Sequence, residues 1–99
     1  MSVDKIIEGI NASPLEDHVK IEAIEIVKGH SSQLSRLLRD AVYMAPEYNA
    51  ERGVAFEVMS LITPTLVANN VPEPNGRDTD RHIYVSIGGR NPVNYEVER

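Results

Sequence analysis

Val3, Ile6, Ile7 and Ile10 follow the i, i+3, i+4, i+7 spacing of one helical face, which predicts a short helix ending near Asn11. Ser2 is placed to cap its first turn, and Gly9 weakens it by ~1 kcal/mol relative to alanine, so this helix depends on packing. Ser13-Pro14-Leu15-Glu16 then has the form of a capping box with proline at the first helical position. Beyond it, Leu15, Val19, Ala23, Ile26, Val27, Leu34, Leu37, Leu38, Ala41 and Val42 share one half of a helical wheel. Asp17, His18, Glu22, Glu25, Lys28, Arg36, Arg39 and Asp40 take the other half, and Ile21 lies off the stripe. Two arrangements of residues 14–44 stay open. A single helix would be ~46 Å long, an overhang for a domain whose radius of gyration should be ~13 Å. Gly29 with Ser31 or Ser32 offers a stop and a fresh cap. The wheel phase, kept across that gap, argues for one continuous run.

A further helix is predicted after the turn Ala45-Pro46-Glu47-Tyr48-Asn49, with Asn49 as its cap. Val54, Ala55, Val58, Met59, Ile62, Thr65 and Leu66 share its face, Pro64 should kink or stop it, and Asn69-Asn70 is its terminator. Residues 71–82 are rich in Pro, Asn, Asp and Gly and are expected to form a loop. The period then changes to two: Ile83, Val85 and Ile87 alternate with Tyr84 and Ser86, and Val93, Tyr95 and Val97 alternate with Asn94 and Glu96. With Gly88-Gly89 between them, the two runs predict a β-hairpin over residues 83–97. The expected fold is therefore α+β in a single domain over residues 1–99: a short N-terminal helix, an antiparallel helical hairpin and a C-terminal β-hairpin. A two-stranded hairpin is marginal alone, so it must lie on the helices or join another hairpin across a subunit interface, and a homo-oligomer is expected.

At 99 residues and 11.0 kDa the chain has room for one core. No apolar run approaches the ~20 residues of a membrane span. Met1-Ser2-Val3-Asp4-Lys5 lacks the basic and apolar blocks of a signal peptide, so no membrane association and a cytoplasmic location are expected. Cysteine is absent, which removes disulfides and thiolate chemistry. The net charge of −5 argues against a general affinity for nucleic acid. Seven of the ten cations are arginine, whose planar fork suits carboxylate and phosphate.

No residue pattern specifies catalysis. His18, His30 and His82 form no HxxxH or HExxH pattern, and His18 with Glu22 supplies two groups where a metal needs more. Gly88-Gly89 is followed by Pro92 instead of a helix start, so it fits a turn better than a phosphate cradle. The expectation is a protein with no cofactor, no metal and no enzymatic activity. Ile24 to Arg39, with a central Gly29 and with Gln33, Arg36 and Arg39 beyond it, has the outline of a helix-turn-helix, but Glu25 stands where a small residue should. The residues expected to hold a ligand are Arg36, Arg39, Tyr43, Tyr48 and Arg52 around the helix-to-helix turn, joined by Arg90. Arg77 and Arg81 form a second basic group with Arg90. A protein-clamping module would instead use exposed apolar residues such as Ile21 or Phe56.

Gln33-Leu34-Ser35-Arg36-Leu37-Leu38, Ala45 to Arg52, Phe56-Glu57-Val58-Met59 and Ala68-Asn69-Asn70 together resemble part of a family. These are the small phage proteins that sequester cyclic oligonucleotide signals of bacterial anti-phage immunity. The resemblance covers about residues 33–70. The predicted loop and hairpin after it depart from the family's pattern, and none of the family's ligand-binding residues is matched. It implies a phage-encoded inhibitor, an oligomer holding an anionic nucleotide at subunit boundaries without catalysis. The alternatives are a module or inhibitor that binds a protein partner, and a helix-turn-helix DNA-binding regulator.

Overall fold

The computed structural model describes residues 2–41 and 50–90. Helix α1 runs Val3–Ala12 and starts as its sequence predicts: the Lys5 N–H donates to Ser2 Oγ at 3.3 Å. Ile6 and Ile10 are buried on its inner face. Ser13 does not open the next helix as a capping box would. Its Oγ donates to the Ile10 carbonyl at 2.6 Å, so it satisfies an orphan acceptor at the end of α1 instead of an orphan donor further on. Helix α2, Asp17–Gly29, starts three residues after Pro14, with Glu16 at the cap position and no side-chain cap.

Residues 14–44 are not one helix. Helix α2 ends at Gly29 and helix α3 occupies Ser31–Ala41, with His30 between them at φ −111°, ψ 19°. The junction keeps its backbone acceptors paired: His30 Nδ1 lies 2.9 Å from the Ile26 carbonyl, and Ser31 Oγ donates to the Lys28 carbonyl at 2.7 Å. Because the break is one residue long, the apolar stripe continues through it. Val19, Ala23, Val27, Leu34, Leu38 and Ala41 are all buried. The connection is shorter than the 3–4-residue turn of a helix-turn-helix. Helix α4, Ala50–Ala68, runs past Pro64 for another turn, held there by the buried Ile62 and Leu66 on either side. It ends at Asn69-Asn70 as expected, in a Schellman motif. Asn70 adopts φ 56°, its N–H donates to the Val67 carbonyl at 3.1 Å, and the Val71 N–H donates to the Leu66 carbonyl at 3.0 Å.

The C-terminal third overturns the expected α+β fold. Where a loop over 71–82 and a first β-strand from 83 are predicted, one helix, α5, spans Glu73–Ser86. Helix accounts for 83% of the described residues and none of them is in a strand, so the fold is all-α. The prolines do not prevent this helix. Pro72 precedes it and Pro74 lies in its first turn, where a backbone N–H would lack a helical acceptor anyway. Thr79, Ile83 and Ile87 are spaced by four, and all three are buried, whereas Val85 is exposed. Gly88-Gly89 ends α5 and turns no hairpin: Gly88 has φ +104°, its N–H donates to the Val85 carbonyl at 3.0 Å, and the Gly89 N–H donates to the Tyr84 carbonyl at 2.9 Å. The second predicted strand, Val93 to Val97, lies outside the described residues.

Helix α5 packs on α1 along one side and on α4 along another, and α2 and α3 also pack against α4. The seam with α1 is close because Gly9 lacks a side chain. A Cβ there would stand 2.7 Å from Ile83 Cα and 2.9 Å from the His82 carbonyl oxygen. Ile6, Ile10, Leu34, Ile62, Ile83 and Ile87 form the centre of one core.

Candidate functional site in the groove between two helices

Helix α4 carries a buried apolar row and a second row of mixed character. Val54, Ala55, Val58, Ile62 and Leu66 point into the core and are buried. A second row, Arg52, Phe56, Met59, Thr63 and Val67, advances by four, three, four and four residues, and so shares another face. That face borders a groove of ≈ 590 Å³ between α4 and α5. Phe56, Met59, Leu66, Val67, Val71 and Pro72 give it an apolar wall, and Arg52, Glu73, Arg77 and Asp80 give it a charged margin. Phe56 and Val67 are each 69% exposed.

Beside the groove's Arg52 end lies a smaller pocket of ≈ 200 Å³ lined by Arg52, Ala55, Arg77, Asp80, Arg81 and Tyr84. The Arg52 guanidinium lies 5.4 Å from the centroid of the Tyr84 ring, within cation–π range, and the ring itself is buried. Arg77 Nη2 pairs with Glu73 Oε1 at 2.9 Å one turn away, and Arg81 Nη1 approaches Asp78 Oδ1 at 3.7 Å. Burial pushes the Asp80 carboxyl above its ordinary value, and the Arg52 charge pulls it partly back. Three guanidinium groups therefore meet three carboxylates, and their formal charges cancel.

The predicted ligand cluster is redistributed. Arg52 lines the groove with Arg77, and in the pocket beside it Arg81 joins them, Arg77 and Arg81 both coming from the second basic group. Arg36 and Arg39 are exposed on α3, Arg90 is exposed after α5, and none of the three lines the groove or the pocket beside it. Tyr43 and Tyr48 lie outside the described residues. Of the two apolar residues expected on the surface, Ile21 and Phe56 are both exposed, and Phe56 borders the groove. Sequence reasoning missed Met59, Val67, Val71, Asp80 and Tyr84. The second row on α4 is a legible signal for the first two, whereas the others gain meaning only once residues 73–86 are helical.

Two of the three histidines serve the backbone. His82 Nδ1 lies 2.6 Å from the Asp78 carbonyl, as His30 does from that of Ile26, and the exposed His18 pairs with Glu16 at 3.4 Å. Among the described residues no group of three or more His, Cys, Asp or Glu side chains is placed to hold a metal ion. No helix among them is long and apolar enough to cross a membrane. No known family matches the chain, and no curated protein or solved structure is detectably similar to it.

Proposed function

We propose that the protein is a non-enzymatic binding module whose α4–α5 groove receives an apolar, mixed-charge segment of a protein partner. The observation that carries this is the exposure of Phe56 and Val67 on the wall of a concave site. Two large apolar side chains on one face of a helix leave surface that a partner segment would remove from water, at about 25 cal/mol per Å². A volume of ≈ 590 Å³ falls within the range of ligand-binding clefts. The charges at its margin supply direction more than affinity, because arginine and carboxylate alternate there and suit a polypeptide that carries both signs.

The charge balance also separates this function from nucleotide sequestration. A nucleotide phosphate would have to compete with Glu73, Asp78 and Asp80 for the three arginines. What favours the nucleotide is Arg52 over the Tyr84 ring, with Arg77 and Arg81 lining the same pocket. In that second function a homo-oligomer would hold an anionic nucleotide, as a phage-encoded inhibitor would.

Peptides selected from a random display library against the full chain test the first function. Selected peptides should shift the amide resonances of Phe56, Val67 and Gly76, and Phe56→Glu should weaken them at least tenfold without loss of helical circular dichroism. Binders that shift only other surfaces would overturn the assignment. Calorimetry with a cyclic dinucleotide separates the second: binding lost on Arg52→Ala and Arg77→Ala would move the function to the pocket.

A further inference from the structure

We propose that the occupant of the α4–α5 groove is helix α4 of a second copy of this chain, in a two-fold dimer, a proposal that rests on the groove being a site for polypeptide segments. Both walls of the groove are helices, Ala50–Ala68 and Glu73–Ser86. Away from their ends, their backbone N–H and C=O groups are bonded within each helix. They offer no strand edge to pair with, so an occupant must satisfy its own backbone, and a helix does so.

Helix α4 supplies such an occupant. The exposed Ser60 lies beside Met59, and with it the outer row reads the same from both ends. Arg52 and Val67, Phe56 and Thr63, and Met59 and Ser60 are each equidistant from a centre between Met59 and Ser60. A copy turned about a two-fold axis through that centre runs antiparallel. It sets Phe56 against Thr63, Met59 against Ser60 and Arg52 against Val67, each pair formed twice. In every pair a long side chain meets a shorter one, the alternation that lets facing helices interdigitate. Phe56 and Val67, both largely exposed in the single chain, are covered. A parallel copy would instead set Phe56 on Phe56 and Arg52 on Arg52.

Charge selects the same direction. Arg52 stands at one end of the row, and Glu73, about three-quarters exposed, opens α5 at the other. The antiparallel copy brings these opposite charges together at both ends, which adds direction more than affinity. The net charge of −5 disfavours contact between copies in general, but the arginines and carboxylates along this groove cancel. From Arg52 to Val67 the helix rises about 22 Å at ~1.5 Å per residue. A face of that length, two helices wide, is at the small end of stable interfaces, so dissociation of the order of micromolar is expected.

Sedimentation velocity of the full chain over a concentration series should show a monomer–dimer equilibrium. Phe56→Glu should raise its dissociation constant at least tenfold with helical circular dichroism retained. The register is read with cysteine, which the chain lacks. In the dimer, the two copies of residue 60 are offset by about 1.5 Å along the helix axes, and the two copies of residue 68 by about 25 Å. A short bismaleimide should therefore link Ser60→Cys into dimers and leave Ala68→Cys unlinked. A chain that stays monomeric, a dimer that Phe56→Glu leaves intact, an assembly that grows beyond two copies, or linking that does not prefer Ser60→Cys overturns the proposal. Under any of those results, library peptides that still engage the groove keep it as a site for another protein. Failure of every peptide to engage it then removes the site as well.

Discussion

Along α5, the side facing α1 and the side facing α4 differ in how near the neighbouring backbone comes. Facing α1, Ile83 is fully buried and Gly9 removes the side chain that would hold the helices apart. Facing α4, Gly76 also lacks a side chain, but a Cβ there would have nothing within 4 Å. Both glycines lie in helices, where each costs roughly 0.5–1 kcal/mol relative to alanine. At Gly9 the cost is offset by close packing that excludes water. At Gly76 no packing offsets it, and open space remains beside Phe56 and Val67. The same residue type thus seals one seam and keeps the other open, and only the neighbouring backbone distinguishes them.

Gly9→Ala is the strongest way to break this comparison. The new methyl would collide with backbone atoms of His82 and Ile83, which a rotamer change cannot relieve. Overpacking of this kind costs about 1–3 kcal/mol, and the gain in helix propensity returns less than 1 kcal/mol of it. Urea denaturation should show a net loss of about 1–2 kcal/mol. A midpoint that is unchanged or higher would mean that the α1–α5 seam is looser than described.

Gly76→Ala should act in the opposite direction by a smaller amount. With nothing to collide with, alanine gains helix propensity and loses unfolded-state freedom, for about 0.5–1 kcal/mol of added stability. The methyl also narrows the groove, so peptides selected against the parent protein should bind the variant more weakly. Higher stability with unchanged peptide affinity would show that the occupant does not reach this part of α5.

How far these differences can be read from the sequence depends on the segment. On α4 the row Val54, Ala55, Val58, Ile62, Leu66 carries enough turns of one period to identify a helix and its buried face, and Asn69-Asn70 announces its end. On α5 the apolar run is short. Ile83, Val85 and Ile87 alternate like a strand, yet Thr79, Ile83 and Ile87 also recur every four residues, and periodicity alone does not choose between them. The polar Thr79 conceals the second pattern. It is buried because its Oγ1 donates to the Asn75 carbonyl one turn back at 2.7 Å, so its hydroxyl needs no outside partner. Pro72 and Pro74 suggest a loop for the same local reason that lets them start a helix, the missing N–H, and Gly76 adds to the loop signal without favouring the helix. The error carries over to the site. Arg77, Asp80, Arg81 and Tyr84 belong to one concavity only when residues 73–86 turn every 3.6 residues, so a loop there hides their meeting with Arg52.

Asp80→Asn probes the smallest difference between the two sides, the electrostatic one. The α1 seam is apolar where Ile6 and Ile10 face the core, whereas the groove's charged end holds a carboxylate whose partial burial outweighs the attraction of Arg52 and raises its pKa above the ordinary carboxylate value. A carboxyl whose folded pKa exceeds its unfolded value favours folding while it is protonated, and that contribution is lost as pH rises through the folded pKa. At neutral pH the ionised Asp80 is therefore a slight liability, and asparagine of the same shape removes it. Asp80 as a residue remains exposed and solvent screens its charge, so the gain should stay within about 0.5 kcal/mol. Thermal melts should place the variant slightly above the parent at neutral pH, with the gap closing as the pH falls through the raised folded pKa of Asp80 and the carboxyl takes up its proton. If asparagine instead lowers stability at neutral pH, attraction to Arg52 is the stronger effect. The charged end would then be a settled ion pair, and an acidic partner segment would have to break it in order to bind.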